Sequence, residues 1–185
     1  DNGSTCVEVA LKMSFQYWGN KGISKPKVIA FKNGYHGDTF GAMSVSERGA
    51  FTKPFQSNLF DVIFIDAPVK GKEKEAVLNL RSQVSGLNSQ VSAFIFEPVV
   101  QGVAGMVLHD VNALSEMIRI CRENKIFTIA DEVFTGFQPD DKIRTILADD
   151  SFKRIENFKT NMVILDPGFN ILVVVKVEGF TSFPC

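Results

Sequence analysis

Four groups of residues in this chain are of types that can do chemistry, and each stands where an apolar segment ends or begins. Asp131 and Glu132 close the mostly apolar run 127–130 in FTIADEVF, and Glu97 closes VSAFIF just before Pro98. Tyr35, His36 and Asp38 lie in NGYHGD, just past KVIAFK, and Gly3 and Ser4 open a segment with helical spacing. A carboxylate that closes a buried run is costly unless its charge is offset. For Asp131 the offset could be a helix cap, a salt bridge, a metal ion or a protonated ring nitrogen. Glu132 beside it should point the other way, because strand side chains alternate. Tyr35 offers a flat ring to a ligand and His36 a donor, or both are simply packed or surface residues. Glu97-Pro98 can also be no more than a strand end. Gly3-Ser4-Thr5 reads as a helix cap or, through free N–H groups and the helix dipole, as an anion site. His36, Asp38, Glu97 and Asp131 together could also hold Mg²⁺ in a metal-dependent hydrolase.

These residues need elements to position them. Val7, Ala10, Leu11, Ser14 and Trp18 recur at helical spacing and predict a helix over residues 5–18, with its N-terminus at Gly3 and Ser4. Short strands are expected at 27–32, 61–66, 91–96 and 126–130. Asp38 is placed to cap a helix through TFGAMSV. A further helix spans 72–87, with Ala76, Leu78, Leu80 and Val84 as its apolar members. Leu114, Met117, Ile118 and Cys121 mark another that ends near Asn124, and 102–105 is a turn.

Helix and strand therefore alternate, which implies an α/β fold with a mostly parallel sheet and helices on both faces. Ligands of such sheets bind at the carboxyl ends of the strands, where the candidate residues cluster. Beyond Gln138 the pattern weakens. Ile143, Ile146 and Leu147 fit a helix, and 162–165 and 171–177 fit strands, without an evident place in the sheet. A sheet ending at its fourth strand would leave an open edge and an apolar face prone to association.

Composition narrows the function classes. The 185 residues suffice for one sizeable core, and 45% hydrophobic with 22% charged residues is ordinary for a globular chain. The net charge of −1 gives no basic surplus for nucleic acid. Three distant cysteines, Cys6, Cys121 and Cys185, fit a reduced, cytoplasmic setting better than a disulfide scaffold. They form no zinc-type cluster. Charged residues such as Glu97 and Lys176 interrupt the apolar stretches, so no membrane helix is expected. The chain opens on Asp1 with no charged-then-apolar leader, as an internal fragment or processed product would.

Four segments carry a family signature in order: DNGSTCVEVALKMSFQYW (1–18), NGYHGDTFGAMSVS (33–46), FEPVVQGVAGM (96–106) and IADEVFTGF (129–137). Together they resemble the class III, pyridoxal-phosphate-dependent aminotransferases over residues 1–137. The most specific block, NGYHGDTFGAMSV, is most similar to the branch that moves an amino group from S-adenosylmethionine to 8-amino-7-oxononanoate in biotin synthesis. The resemblance implies part of the fold-type-I large domain over 1–137, small-molecule substrates and a homodimer with active sites at its interface.

It also implies roles for single residues. Gly3 and Ser4 match the phosphate-binding turn, Tyr35 the aromatic stacked on the pyridine ring, and His36 its motif neighbour. Glu97 matches the glutamate of the EPxxQG segment near the cofactor. Asp131 matches the partner of the pyridinium nitrogen, and Val133 the aliphatic residue on the other ring face.

The resemblance stops after Phe137. Where the family continues with G-R-T-G, this chain reads Gln138-Pro139-Asp140-Asp141. Lys142, Lys153, Lys159 and Lys176 follow, none of them before a small residue and a Gly-Gly pair, the context of the family's cofactor-tethering lysine. Lys159 stands at about the family's distance from Asp131 in the context NFKTNM. The segment 138–185 is thus expected to differ from the family, and the chain to lack turnover. A non-catalytic cofactor- or phosphate-binding chain is the companion reading.

Overall fold

The computed structural model describes residues 3–87, 90–134, 162–165 and 170–174. Helix α1 (Gly3–Asn20) leads into strand β1 (Lys27–Phe31), the short helix α2 (Phe40–Val45) and, after a 3-10 turn at Lys53–Asn58, strand β2 (Ile63–Ile65). Helix α3 (Glu73–Gly86) and strand β3 (Val91–Phe96) follow, then a small hairpin of β4 (Val100–Gln101) and β5 (Val107–Leu108). Helix α4 (Val111–Glu123) and strand β6 (Phe127–Asp131) complete the alternation, and β7 (Met162–Leu165) and β8 (Asn170–Val174) come last. The expected alternation is present, with the hairpin as an addition around the expected turn.

The six-stranded sheet has the order β2-β1-β3-β6-β8-β7. β1 pairs with β2 and β3, and β3 with β6, all in parallel. The two late strands, which the sequence left without a place, extend the sheet past its fourth strand: β8 pairs in parallel with β6, Asp131 opposite Val173, and β7 closes antiparallel on β8. The backbone edge that β6 would have exposed is thereby paired.

Alternation along the strands divides the core in two. Ile29, Phe31, Phe94, Phe96 and Ala130 face α3 and α4, where Leu80, Leu114, Met117 and Cys121 are buried. Val28, Ala30, Ala93, Ile95, Phe127 and Ile129 face α1 and α2 and cluster with Val7, Ala10, Leu11 and Trp18. Helices cover both faces, as expected of a doubly covered sheet.

The helices obey their sequence signals with two exceptions. α4 is capped by Asp110, whose carboxylate accepts the Ala113 N–H at 2.8 Å. In α3 the buried positions are Ala76, Val77, Leu80 and Val84, while Leu78 is exposed. Positions 76, 80 and 84 advance four at a time along one stripe, and Val77 borders it. Leu78, two residues from Ala76, falls on the far side. Asp38 does not cap α2: Thr39 holds the cap position and makes no side-chain cap bond.

Candidate functional site

β1, β3 and β6 are neighbours in the sheet, so their carboxyl ends form one continuous edge. The loops leaving it carry Tyr35 and His36, Glu97, and Asp131. Asp131 continues the alternation of Phe127 and Ile129 and so falls on the α1 face. It is 4% exposed, and Glu132, just past the strand end, is buried as well.

The centre of the edge is a buried pair. His36 Nδ1 lies 2.8 Å from Asp131 Oδ2, with the histidine side chain wholly buried. A carboxylate oxygen can only accept, so Nδ1 carries the proton. The other oxygen, Oδ1, accepts the Val133 N–H at 3.2 Å. Both oxygens are thus held, and each keeps capacity for a further donor. His36 Nε2 is buried with no hydrogen-bond partner among the described residues. A buried ring nitrogen left in that condition is costly, and it is the feature of this edge most in need of a ligand or water. The His36 backbone N–H is anchored on Ser46 Oγ at 2.8 Å, and that hydroxyl donates to the Ala42 carbonyl at 2.8 Å.

Glu97 borders the pair. Its carboxylate accepts the Gly102 N–H at 3.2 Å and the Tyr35 N–H at 3.4 Å. Burial pushes its carboxyl above the ordinary range. His36 and the two N–H groups oppose that shift, and the charge of Asp131 adds to it. The segment behind it is strained, for Val99, a β-branched residue, has φ +66°. Gln101 ties this segment to the first loop, its Nε2 donating to the Lys32 carbonyl at 2.8 Å.

Tyr35 is half-buried. Burial first, then the charge and side-chain hydrogen bond of Asp38, push its phenol upward. Asp38 itself is exposed and turned to this use rather than to capping. Gly3 and Ser4 begin α1 beside the same edge. A methyl group built on Gly3 would come within 2.7 Å of Val133 Cγ2, so Val133 packs against the first turn of α1. Ser4 Oγ accepts the Asp38 N–H at 3.1 Å, which leaves its own proton to donate. The structure therefore brings Gly3, Ser4, Tyr35, His36, Glu97, Asp131 and Val133 to one edge. The lysines at 142, 153, 159 and 176 lie outside the described residues.

Sequence reasoning missed the supports of this edge: Glu8, Thr39, Ser46, Gln101 and the close approaches at Gly37 and Gly41. The signal was present as Ser4 and Glu8, four apart on α1, and Gly37 and Gly41, four apart in the facing segment. A methyl built on Gly37 would fall 2.0 Å from Ser4 Oγ, and one on Gly41 2.4 Å from Glu8 Oε2. A four-ligand metal set of His36, Asp38, Glu97 and Asp131 is not assembled. His36 Nδ1 is committed to Asp131, and among the described residues no group of three or more His, Cys, Asp and Glu is arranged to hold a metal ion.

Chemically, the edge joins a buried, immobilised carboxylate, a buried imidazole nitrogen, a half-buried ring and a helix N-terminus with a free hydroxyl proton. Such a set fits a small, flat ligand with a cationic ring atom at one end and an anionic group at the other.

Known proteins resemble this chain in sequence and in fold. The family model for aminotransferase class-III matches residues 1–140. The adenosylmethionine-8-amino-7-oxononanoate aminotransferase of Synechococcus elongatus is 43% identical over 145 residues, covering 74% of this chain and 34% of its own length. The enzyme of the same name from Staphylococcus aureus is 35% identical over 150 residues, covering 74% and 33%. Among solved structures, that of Methanocaldococcus jannaschii bearing the same name has a TM-score of 0.71 at 31% identity, over 81% of this chain and 36% of its own. A PLP-bound amine transaminase from an uncultivated Pseudomonas species has a TM-score of 0.69 at 30% identity, over 74% and 33%. The chain spans about a third of the length of the curated relatives it matches.

Proposed function

The chain belongs to the class-III aminotransferase family, and from that premise we propose that its strand-end edge holds pyridoxal 5′-phosphate for amino transfer. The reaction we assign is transfer from S-adenosylmethionine to 8-amino-7-oxononanoate, giving 7,8-diaminononanoate in biotin synthesis. Support for that substrate pair comes from the names of the relatives and from the block NGYHGDTFGAMSV. The observation that carries the cofactor reading is the buried His36–Asp131 pair at 2.8 Å, with His36 Nε2 left unpartnered beside it.

The residues present fit that group. Gly3 and Ser4 hold the phosphate at the first turn of α1, where N–H groups and the Ser4 hydroxyl proton are available. Tyr35 and Val133 would hold the ring. Asp131, buried at the end of β6, would pair with the protonated ring nitrogen. When bound, the protonated pyridine ring supplies an electron sink for the charge left at the substrate carbon that loses its proton. Asp131 keeps the proton on that nitrogen, and the bonds from His36 and Val133 hold its carboxylate in place before the ligand arrives. His36 is thus a positioning residue acting through Asp131. Glu97 fixes the Tyr35 backbone and, through Gly102, the segment after β3. The working unit is a cytoplasmic homodimer with small-molecule substrates.

The context after Phe137 departs from the family's lysine segment, so we assign the 185-residue chain cofactor binding without turnover. The test is to load the chain with PLP, remove the excess and read bound cofactor by absorbance and mass. Retained PLP is expected, lost in Asp131→Ala and unchanged in Lys159→Ala. A chain that takes up no PLP overturns the cofactor reading. Loss of a covalent cofactor signal in Lys159→Ala would identify that lysine as the tether and overturn the reading of a chain without turnover.

A further inference from the structure

α1 and the loop after β1 meet at two points that repeat the same geometry. At the first, Ser4 Oγ accepts the Asp38 N–H at 3.1 Å, and Gly37, at φ +115°, allows the backbones to close. At the second, one turn further along α1, Glu8 Oε2 accepts both the Thr39 hydroxyl and the Gly41 N–H, each at 2.8 Å. Residues four apart on a helix share a face, so Ser4 and Glu8 present one side of α1 to a segment whose two glycines are also four apart. Neither glycine could carry a side chain without displacing its partner on α1.

The second point is built unusually. An N-cap residue ordinarily caps with its own side chain, accepting the N–H of the second or third helical residue. Thr39 makes no such bond in α2. Glu8 accepts the N–H of Gly41, the second residue of α2, from a different helix. The Thr39 hydroxyl is the link: it lies 2.8 Å from the Glu8 carboxylate and 3.3 Å from the Ser4 carbonyl. The charged, nearer acceptor takes its proton.

We infer that Glu8 is a positioning residue that locks the first turn of α1 to the Tyr35–His36 loop, and so sets the spacing between the phosphate end and the ring end of the cofactor site. This rests on the reading that the edge holds pyridoxal 5′-phosphate. Glu8 itself touches no ligand. Its effect reaches Ser4 through the shared face of α1, and reaches His36 through residues 37–41. Hydrogen bonding rather than charge carries the effect, because the single oxygen Oε2 takes both donors. An amide oxygen at the same place would accept them too.

The test is calorimetric titration of the 185-residue chain with PLP and, separately, with pyridoxal, which has the ring but no phosphate. Glu8→Ala is expected to weaken PLP about tenfold, the upper end of the scale for one lost hydrogen bond. Pyridoxal should weaken far less, because a site of altered spacing can still engage the ring alone. Glu8→Gln should bind PLP as the wild type does, and Thr39→Val should fall on the side of Glu8→Ala. Equal losses for both ligands, or Glu8→Gln behaving like Glu8→Ala, would overturn the spacing role. So would folded Glu8→Ala and Thr39→Val chains with wild-type PLP affinity. A wild-type chain that binds no PLP would instead overturn the cofactor reading itself, and the inference with it.

Discussion

The two faces of the sheet are built on different rules. Against α3 and α4 the sheet presents Ile29, Phe31, Phe94 and Phe96, which pack with Leu80, Leu114 and Met117. Ring contacts such as Phe31–Phe94, edge-on at 5.1 Å, supply the order there. Against α1 and α2 the middle of the sheet is also apolar. Its carboxyl end, however, is a set of single hydrogen bonds made by Ser4, Glu8, His36, Ser46 and Asp131. Apolar burial is non-directional and scales with area. A charge-assisted bond depends on one atom in one place. The first face should therefore answer to volume, and the second to the identity of individual atoms.

The sharpest way to separate the two is Phe94→Ala. Phe94 is wholly buried between Phe31 and Phe96. Truncating it should cost about 3–5 kcal/mol of stability, read by urea unfolding, while PLP affinity of the chain that remains folded stays unchanged. Affinity falling in step with stability would mean that the two faces are not separable. Asp131→Ala should show the opposite pattern, with the cofactor lost and the fold retained.

His109 tests where the apolar face ends. Its ring meets Phe31 edge-on at 5.2 Å, and neither ring nitrogen has a partner among the described residues. Burial pushes its imidazole from 6.5 down to about 4. The unfolded chain therefore binds a proton at a pH where the folded chain does not. This stability is complete above about 6.5 and is lost as pH falls through about 4. The shift corresponds to about 3 kcal/mol in total. In His109→Phe that part of the pH dependence should vanish from urea midpoints taken between neutral and acidic pH. An unchanged slope would show that the imidazole is solvated rather than part of the apolar face.

The same contrast explains what could be read from the sequence. β3 and α4 were legible because burial writes itself into periodicity, and VSAFIF became Val91–Phe96 without change. Leu78 misled because apolar type alone does not give its side of α3, whereas the spacing of Ala76, Leu80 and Val84 does. The site residues were legible as types at strand ends. Their convergence needed the sheet order, and adjacency of β1, β3 and β6 is decided by tertiary packing. Glu8 left only a faint trace, the matching spacings of Ser4 and Glu8 and of Gly37 and Gly41, and those spacings do not say that the two segments meet or that a glutamate inside α1 will serve as the cap of α2. The attachment of β8 to β6 was equally hidden, since a short apolar run does not name its partner strand.

The smallest expected effect is on the outside of the apolar face. Arg81 and Glu116 join α3 to α4 across 2.7 Å, which matches the distances of the Glu8 bonds almost to the tenth. Distance alone would rank them together. But the side chains of Arg81 and Glu116 are each 44% exposed, so water and salt already satisfy both partners in the unfolded chain and screen them in the folded one. Arg81→Ala should therefore shift stability by no more than about 1 kcal/mol, and the difference should disappear in high salt. Glu8→Ala should keep its effect on PLP in the same salt, because Glu8 bonds a backbone N–H and a hydroxyl rather than a screened cation. A salt-independent loss of about 2 kcal/mol or more in Arg81→Ala would show that a surface ion pair sets the α3–α4 packing. The rule that this face answers to volume would then fail.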